Sequence, residues 1–326
     1  MKNRSFDLIN HPLKLLIAVV GPTASGKSEL ALNIAEHFGG EIVNFDSIQL
    51  YRGFDIGAAK TPLAQRRNIP HHLLDIFEPN EQVSVGLYVR HARKTLEEIA
   101  TRGQLPILVG GTGFYLRALI EGLPPTPTRD QELRDRLNRR IATRPAGYLH
   151  QLLNRLDAKA AGYIHPNDHA KLTRAIEVCI IGKKPASKLW ETGENALTNY
   201  EIFRIGLNPP RRDLREKIEL RTQRMFNNGL VEEVQQLLDT GLRREAWPLG
   251  AIGYKQALAH LNGASTVEQA IRTTITQTHR YAKRQMTWFR REQNVFWIES
   301  FGDNPETHKR AYAAVKQQIS VQLQGR

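Results

Sequence analysis

The eight residues GPTASGKS, Gly21 to Ser28, follow an apolar run at Leu15 to Val20 and match the pattern G-x-x-x-x-G-K-[ST] at every fixed position. Such a loop wraps an anion, because Gly21 and Gly26 let the backbone turn its N–H groups inward beside the N-terminus of a following helix. Lys27 adds a positive charge, and the Ser28 hydroxyl is a ligand for Mg2+. Two further segments offer chemistry. Asp46 ends the apolar run in IVNFDSIQLY, where a carboxylate can serve as an indirect Mg2+ ligand, as a general base toward a nucleophile, or as a plain helix cap. Thr112, in VGGTGFY, follows glycines that permit close backbone approach, so its hydroxyl can touch a leaving phosphate. A tight strand-to-helix turn accounts for that segment about as well.

These residues need a frame that brings them together. Strand-like runs at Leu15 to Val20, Glu41 to Phe45, His72 to Ile76, Ile107 to Val109, Phe203 to Leu207 and Val295 to Ile298 alternate with helical patterns, which predicts an α/β fold with a doubly wound parallel sheet. Ligands bind at the carboxyl ends of such strands, where the phosphate loop, Asp46 and the Gly110 to Gly113 turn all fall. After the proline cluster LPPTPT, Leu123 to Thr128, the periodicity is helical until the strand near Ile202. The division expected is a core from 1–123 and 201–326 with a helical insertion at 124–200. The insertion opens with RDQELRDRLNRRIATR, Arg129 to Arg144, whose arginines suit a solvated helix face. No internal repeat or low-complexity segment is evident.

The chain has 326 residues, 40% of them hydrophobic, enough for one large core and an accessory domain. The apolar stretch Leu13 to Val20 is too short to span a bilayer and runs into the phosphate loop without a cleavage site, so a cytoplasmic protein with no membrane contact is expected. A single cysteine, Cys179 in AIEVCII, excludes an intramolecular disulfide and any multi-cysteine zinc site and reads as a buried core thiol. The formal charge of +13 and sequence pI near 9.9 point to a polyanionic partner. That charge concentrates in RTTITQTHRYAKRQMTWFRR, Arg272 to Arg291, with six Lys or Arg and no acidic residue. On a helical wheel Arg280, Lys283, Arg284, Arg290 and Arg291 share one arc, opposite Ala282, Met286 and Phe289. Contact with a phosphate backbone is the favoured reading, and Trp288 and Tyr281 are expected to pack.

Together these segments resemble one family, the bacterial tRNA dimethylallyltransferases, also called tRNA isopentenyltransferases. The stretches that carry the resemblance are GPTASGKS, DSIQLYRGFDIGAAKTP, IPHHLLDI, LVGGTGFYLRALIEGL, IHPNDHAKLTRAIEV, RTQRMFNNGLVEEV, AIGYKQ and YAKRQMTWFR, in the family's order. The resemblance implies a P-loop NTPase-like sheet with an all-helical insertion. It also implies transfer of a dimethylallyl group from dimethylallyl diphosphate to N6 of adenosine 37, in tRNAs reading codons beginning with U, with release of diphosphate. Gly21, Pro22, Thr23, Ala24, Ser25, Gly26, Lys27 and Ser28 would then hold the diphosphate, with Mg2+ at Ser28.

By the same resemblance Asp46 takes the general-base position, and Thr112 and Arg221 line the diphosphate channel. The tRNA would meet Asp46, Ser47, Ile48, Gln49, Thr112 and Arg134, the run Ala170, Lys171, Leu172, Thr173 and Arg174, and Gly253, Tyr254 and Lys255, besides Arg280, Lys283 and Arg284. The insertion matches a domain that clasps the anticodon stem-loop. Lys171 stands where many relatives have arginine, which keeps the charge but loses the bidentate fork. No zinc finger and no protein partner are implied, and a monomer is expected.

The residues suit that chemistry. An exocyclic adenine amine is a weak nucleophile, so it needs an ionisable electrophile and a nearby proton acceptor; an allylic diphosphate supplies the first and Asp46 the second. Negative charge builds on the departing diphosphate, which Lys27, Arg221, backbone N–H groups and Mg2+ would stabilise. Three alternatives are a prenyltransferase acting on free adenylate, a small-molecule kinase using ATP at the same loop, and an RNA-binding module with a vestigial loop.

Overall fold

The computed structural model describes residues 14–191 and 196–324. In chain order its elements are β1 (Lys14–Val20), α1 (Lys27–Phe38), β2 (Gly40–Asn44), β3 (His71–His72), α2 (Val85–Thr101), β4 (Leu105–Val109), α3 (Gly113–Glu121), α4 (Gln131–Thr143), α5 (Tyr148–Leu156), α6 (Ala158–Tyr163), α7 (His169–Gly182), α8 (Ala186–Trp190), β5 (Tyr200–Leu207), α9 (Arg211–Asn227), α10 (Leu230–Asp239), α11 (Tyr254–Leu261), α12 (Val267–Phe289), β6 (Val295–Ile298) and α13 (Pro305–Gln324).

The β1 run LLIAVV is buried along its whole length, as a central parallel strand covered on both faces must be. The six strands form one parallel sheet in the order β3-β2-β4-β1-β5-β6. Leu30 and Ile34 of α1 and Ala311, Val315 and Ile319 of α13 pack into the same core as Ile17, Val19, Ile107 and Ile205. All six expected strands are present, but the third is cut to His71–His72. Leu73 and Asp75 take positive φ of 60° and 56°, which ends the extended run. The Asn44 amide donates to Leu73 O at 2.9 Å, and Lys60 pairs with the Asp75 carboxylate, so this kink is fixed by side chains.

The chain divides into two compact units, Met1–Arg117 with Thr198–Arg326, and Ala118–Leu197. Among the described residues the second unit contains helices and no strand. Its core is Leu133 and Leu137 of α4, Leu149 and Leu153 of α5, and Leu172, Ile176 and Cys179 of α7. The cysteine is a buried free thiol. Asp130, Asp157 and Asp168 cap α4, α6 and α7 through their carboxylates. No described helix is long and apolar enough to cross a membrane.

Candidate active site

Three strand ends build the site. After β1 the phosphate loop turns at Gly21, whose φ of 140° and approach to Leu207 O leave no room for a side chain. Gly26, left-handed at φ 84°, starts α1. The Lys27 ammonium folds back to donate to Pro22 O at 2.6 Å. A backing turn fixes the loop from outside, with the Gly302 N–H donating to Ser25 O at 2.8 Å. After β2, Asp46 takes an N–H from Ile48 on Oδ1 at 3.0 Å, while its own N–H donates to Asn44 Oδ1 at 2.8 Å. After β4, Thr112 Oγ1 accepts the Ser47 N–H at 3.1 Å and ties the two strand ends together. A Cβ on Gly111 would come within 3.1 Å of Asp46 Oδ2, so glycine is what lets this turn lie against the carboxylate.

Helices α9 and α12 close the site. Arg221 donates from Nη1 to Thr23 Oγ1 at 3.2 Å. Gln285 accepts the Thr23 N–H on Oε1 at 2.8 Å and donates from Nε2 to Gly111 O at 2.8 Å. Tyr281, one turn earlier, also donates to Gly111 O, at 3.1 Å. Asp46, Thr112 and Arg221 line a cavity of about 350 Å³ together with Ile218, Met225, Ala251, Ile252 and Tyr281. A second space of about 570 Å³ holds Lys27, Ser28, Lys217 and Arg224, and Ala24 and Arg221 border both. A carboxylate and hydroxyl thus lie on one side of Arg221, and the phosphate-loop cation on the other.

Burial sets the protonation of this group. It pushes the Asp46 carboxyl above its ordinary range, against the pull of the Ile48 and Gln49 N–H groups, Lys27 and Arg221. It pushes Lys27 down to about 7, reinforced by Arg221 and opposed by Asp46. Arg221 is lowered by burial and partly restored by Asp46. A carboxyl raised by burial holds a proton more readily than one at its ordinary value, which suits it to accept one from a nucleophile.

Other expected contact residues divide by exposure. Ser47 and Ile48 line the cavity, whereas Gln49 turns aside and donates to Ala58 O at 2.9 Å. Gly253, at φ 93°, starts α11. Tyr254 offers the cavity only a wall, since it is fully buried with its hydroxyl donating to Glu233 Oε1 at 2.6 Å; Lys255 is exposed. In the second unit the run from Ala170 to Arg174 is helical, so its side chains cannot all face one way. Leu172 and Thr173 are buried, Ala170 and Lys171 are exposed, and Lys171 pairs with Asp168. Arg134 and Arg174 both bind the buried Glu177, Arg134 through two bonds at 2.9 and 2.8 Å.

On α12, Arg280, Lys283 and Arg284 are exposed, and Ala282, Met286 and Phe289 are buried. The helix stops at Phe289, so Arg290 is its cap and Arg291 lies beyond the wheel that was expected to carry it. Trp288 packs over Gly113 and under the Arg117 guanidinium, 4.4 Å from the ring centroid. Tyr281, expected only to pack, faces the cavity. Sequence reasoning also missed Gln285, whose signal was a glutamine among the apolar positions of α12, and Trp247, an aromatic residue beside a proline.

No group of three His, Cys, Asp or Glu side chains that could hold a metal occurs among the described residues. The Ser28 hydroxyl, on the phosphate-loop side of Arg221, is the oxygen donor the loop offers a divalent cation, whose remaining positions phosphate oxygens and water would fill.

A phosphate loop and a half-buried carboxylate on the two sides of one arginine, at the carboxyl ends of a parallel sheet, place the chain in the phosphate-loop class. The sequence model of the family described as IPP transferase matches residues 49–292, and the chain belongs to that family. A tRNA dimethylallyltransferase of Solibacter usitatus is 53% identical over 296 residues, covering 91% of this chain and 96% of the relative. The crystal structure of the full-length tRNA isopentenylpyrophosphate transferase of Bacillus halodurans is similar with a TM-score of 0.70 and 35% identity, over 94% of this chain and 97% of that one. A eukaryotic dimethylallyltransferase acting on tRNA matches at TM-score 0.79 and 26% identity, over 94% of this chain and 80% of its own.

Proposed function

We propose that this enzyme transfers the dimethylallyl group of dimethylallyl diphosphate to N6 of adenosine 37 in tRNAs reading codons beginning with U, releasing diphosphate. The observation that carries the reading is Arg221 bordering two spaces, one with Asp46 and Thr112 and the other with Lys27 and Ser28. The diphosphate occupies the loop side and the adenine occupies the cavity, with the allylic carbon between them. Asp46 accepts the proton lost by the exocyclic amine as the new C–N bond forms, and the C–O bond electrons leave with the diphosphate. Lys27 and Arg221 stabilise the charge that builds there, more strongly in the transition state than in the ground state. Mg2+ at Ser28 would supply further neutralisation of the same oxygens.

The target base is stacked in the anticodon loop and has to turn out to enter a cavity. Arg280, Lys283 and Arg284 are read as contacts to the RNA backbone, and Ser47 and Ile48 as contacts to the extruded base. Ala170 and Lys171 on the surface of the helical unit suit RNA contact, and Arg134 and Arg174 would meet it from their ion-paired positions. A tRNA substrate also supports the expected cytoplasmic location, and the enzyme is read as a monomer. The deciding experiment supplies radiolabelled dimethylallyl diphosphate, Mg2+ and unmodified tRNA carrying A36-A37-A38. Label should enter the RNA at that adenosine; its absence at every salt concentration would end the proposal.

A further inference from the structure

The sequence AWPLGAIGY carries a tryptophan that the core does not use. Pro248 restricts the backbone, and Trp247–Gly250 forms a short 3-10 turn anchored by the buried Pro248 and Leu249. Trp247 itself is 53% exposed. One side of its ring meets Tyr51, with centroids 6.0 Å apart and planes tilted by 40°. It lines the cavity that holds Asp46, and so do Ser47, Ile48 and Arg284.

An indole held rigidly and left half in water at the edge of a binding cavity is a contact surface awaiting a partner. The cavity already has apolar lining in Ile218, Met225 and Ile252, so a short prenyl chain does not require the indole as well. Arg284, on the basic stripe with Arg280 and Lys283, reaches the same cavity and would bring an RNA backbone to it. Extruding one base also breaks a stack: the neighbouring base loses a partner, and part of the cost of extrusion is that lost face. An aromatic plate restores it without regard to base identity, since every base has a π face.

We infer that Trp247 is a stacking platform for the nucleobase adjoining the extruded adenosine, and so a binding determinant for RNA in addition to the cationic stripe. The inference rests on the proposed RNA substrate. Its test compares Trp247→Ala, Trp247→Leu and Trp247→Phe with the unaltered enzyme on an anticodon stem-loop. Two further stem-loops carry an abasic site on the 5′ or the 3′ side of the target. On the intact RNA, Trp247→Ala should raise the KM for RNA about tenfold, as expected for one lost base–aromatic stack. Trp247→Leu should lose about as much, Trp247→Phe should recover most of it, and the KM for dimethylallyl diphosphate should not move. On one of the abasic RNAs the difference between Trp247→Ala and the unaltered enzyme should vanish. A penalty that persists on both abasic RNAs, a leucine as good as tryptophan, or a rise in the diphosphate KM instead would overturn the inference. Failure of the unaltered enzyme to label the intact stem-loop would overturn the proposed function and this inference with it, whereas the outcomes above bear on Trp247 alone.

Discussion

Gln285 Oε1 accepts the backbone N–H of Thr23 at 2.8 Å, which couples the inner face of α12 to the phosphate loop. The same amide donates to Gly111 O, on the turn that lies against Asp46. A single buried side chain therefore fixes the spacing between the loop and the carboxylate. Gln285→Leu keeps the size and removes both bonds, leaving the Thr23 N–H unsatisfied. It should lower kcat/KM for dimethylallyl diphosphate by about 10- to 100-fold, the equivalent of one or two lost buried hydrogen bonds. Gln285→Glu keeps an acceptor for Thr23 but no donor for Gly111 and should fall between. Steady-state kinetics with RNA saturating check this; equal values for all three proteins would remove the coupling.

Asp46→Asn preserves an oxygen for the Ile48 N–H and abolishes the proton acceptor. Turnover should drop by about 10²- to 10⁴-fold, the usual contribution of a positioned general base. RNA affinity should stay within about twofold of the unaltered enzyme, because the phosphate contacts assigned to the basic stripe are untouched. A matching loss in both quantities would make Asp46 a positioning residue.

The phosphate loop, all six strands and the helical character of the insertion were legible because each rests on a local pattern: a glycine spacing, an apolar run, a 3.6-residue period. What escaped depends on tertiary placement. His72 to Ile76 looked extended, but the left-handed Leu73 and Asp75 are held by Asn44 and Lys60, from other parts of the chain. The basic arc of α12 was read correctly as far as the helix runs, and its end at Phe289 removed Arg291 from it. Tyr281 and Gln285 lie on the buried side of that helix, where a wheel shows only that they face inward and not that a loop carbonyl awaits them. Within a run such as Ala170 to Arg174 the sequence does not separate surface from core, since the helix turns Leu172 and Thr173 into its own interior and leaves Ala170 and Lys171 outside.

Lys27 gives a proton-linkage prediction. Its pKa of about 7 in the free enzyme, set by burial and by Arg221, lies well below the ordinary 10.5, so above neutrality the amine is largely uncharged. A bound diphosphate favours the ammonium and raises that value. Binding of dimethylallyl diphosphate at about pH 8 should therefore take up close to one proton, and far less at about pH 6, where Lys27 is already charged. Calorimetric titration in buffers of different ionisation enthalpy reads the uptake. Lys27→Met should abolish it, and uptake that is independent of pH would refute the linkage.

The exposed stripe predicts a salt signature. Replacing Arg280, Lys283 and Arg284 by glutamine should weaken tRNA binding and reduce the slope of log K against log salt by about 2 to 3, at about 0.7–0.9 per phosphate contact. Substituting Arg136, Arg139 and Arg140, exposed on α4, gives a control of equal charge change. If both triple variants shift the slope equally, net charge and not the stripe governs binding.

Glu177 contributes to the acid sensitivity of the helical unit, alongside Asp157 and Asp168, whose carboxyls are also held below their ordinary range. Burial alone would raise its carboxyl, but hydrogen bonds from Arg134 and Arg174 and from the Asp130 N–H bring it down to about 2. Because the folded value lies below the ordinary 4.5, the carboxylate stabilises the fold above about pH 4.5, and that contribution is lost as pH falls toward about 2. Glu177, Arg134 and Arg174 join α4 to α7, so hydrogen exchange in the full chain should lose protection in these two helices as pH falls through that window. Glu177→Gln should flatten the pH dependence and leave two guanidinium groups without their anion, at a cost of about 3–5 kcal/mol if neither escapes to solvent. Arg134 is one-fifth exposed and Arg174 about one-third, so the measured loss should fall toward the lower end. Protection that is insensitive to acid in the unaltered protein would show that the apolar contacts of Leu133, Leu137 and Leu172 hold the pair without the ion bridge.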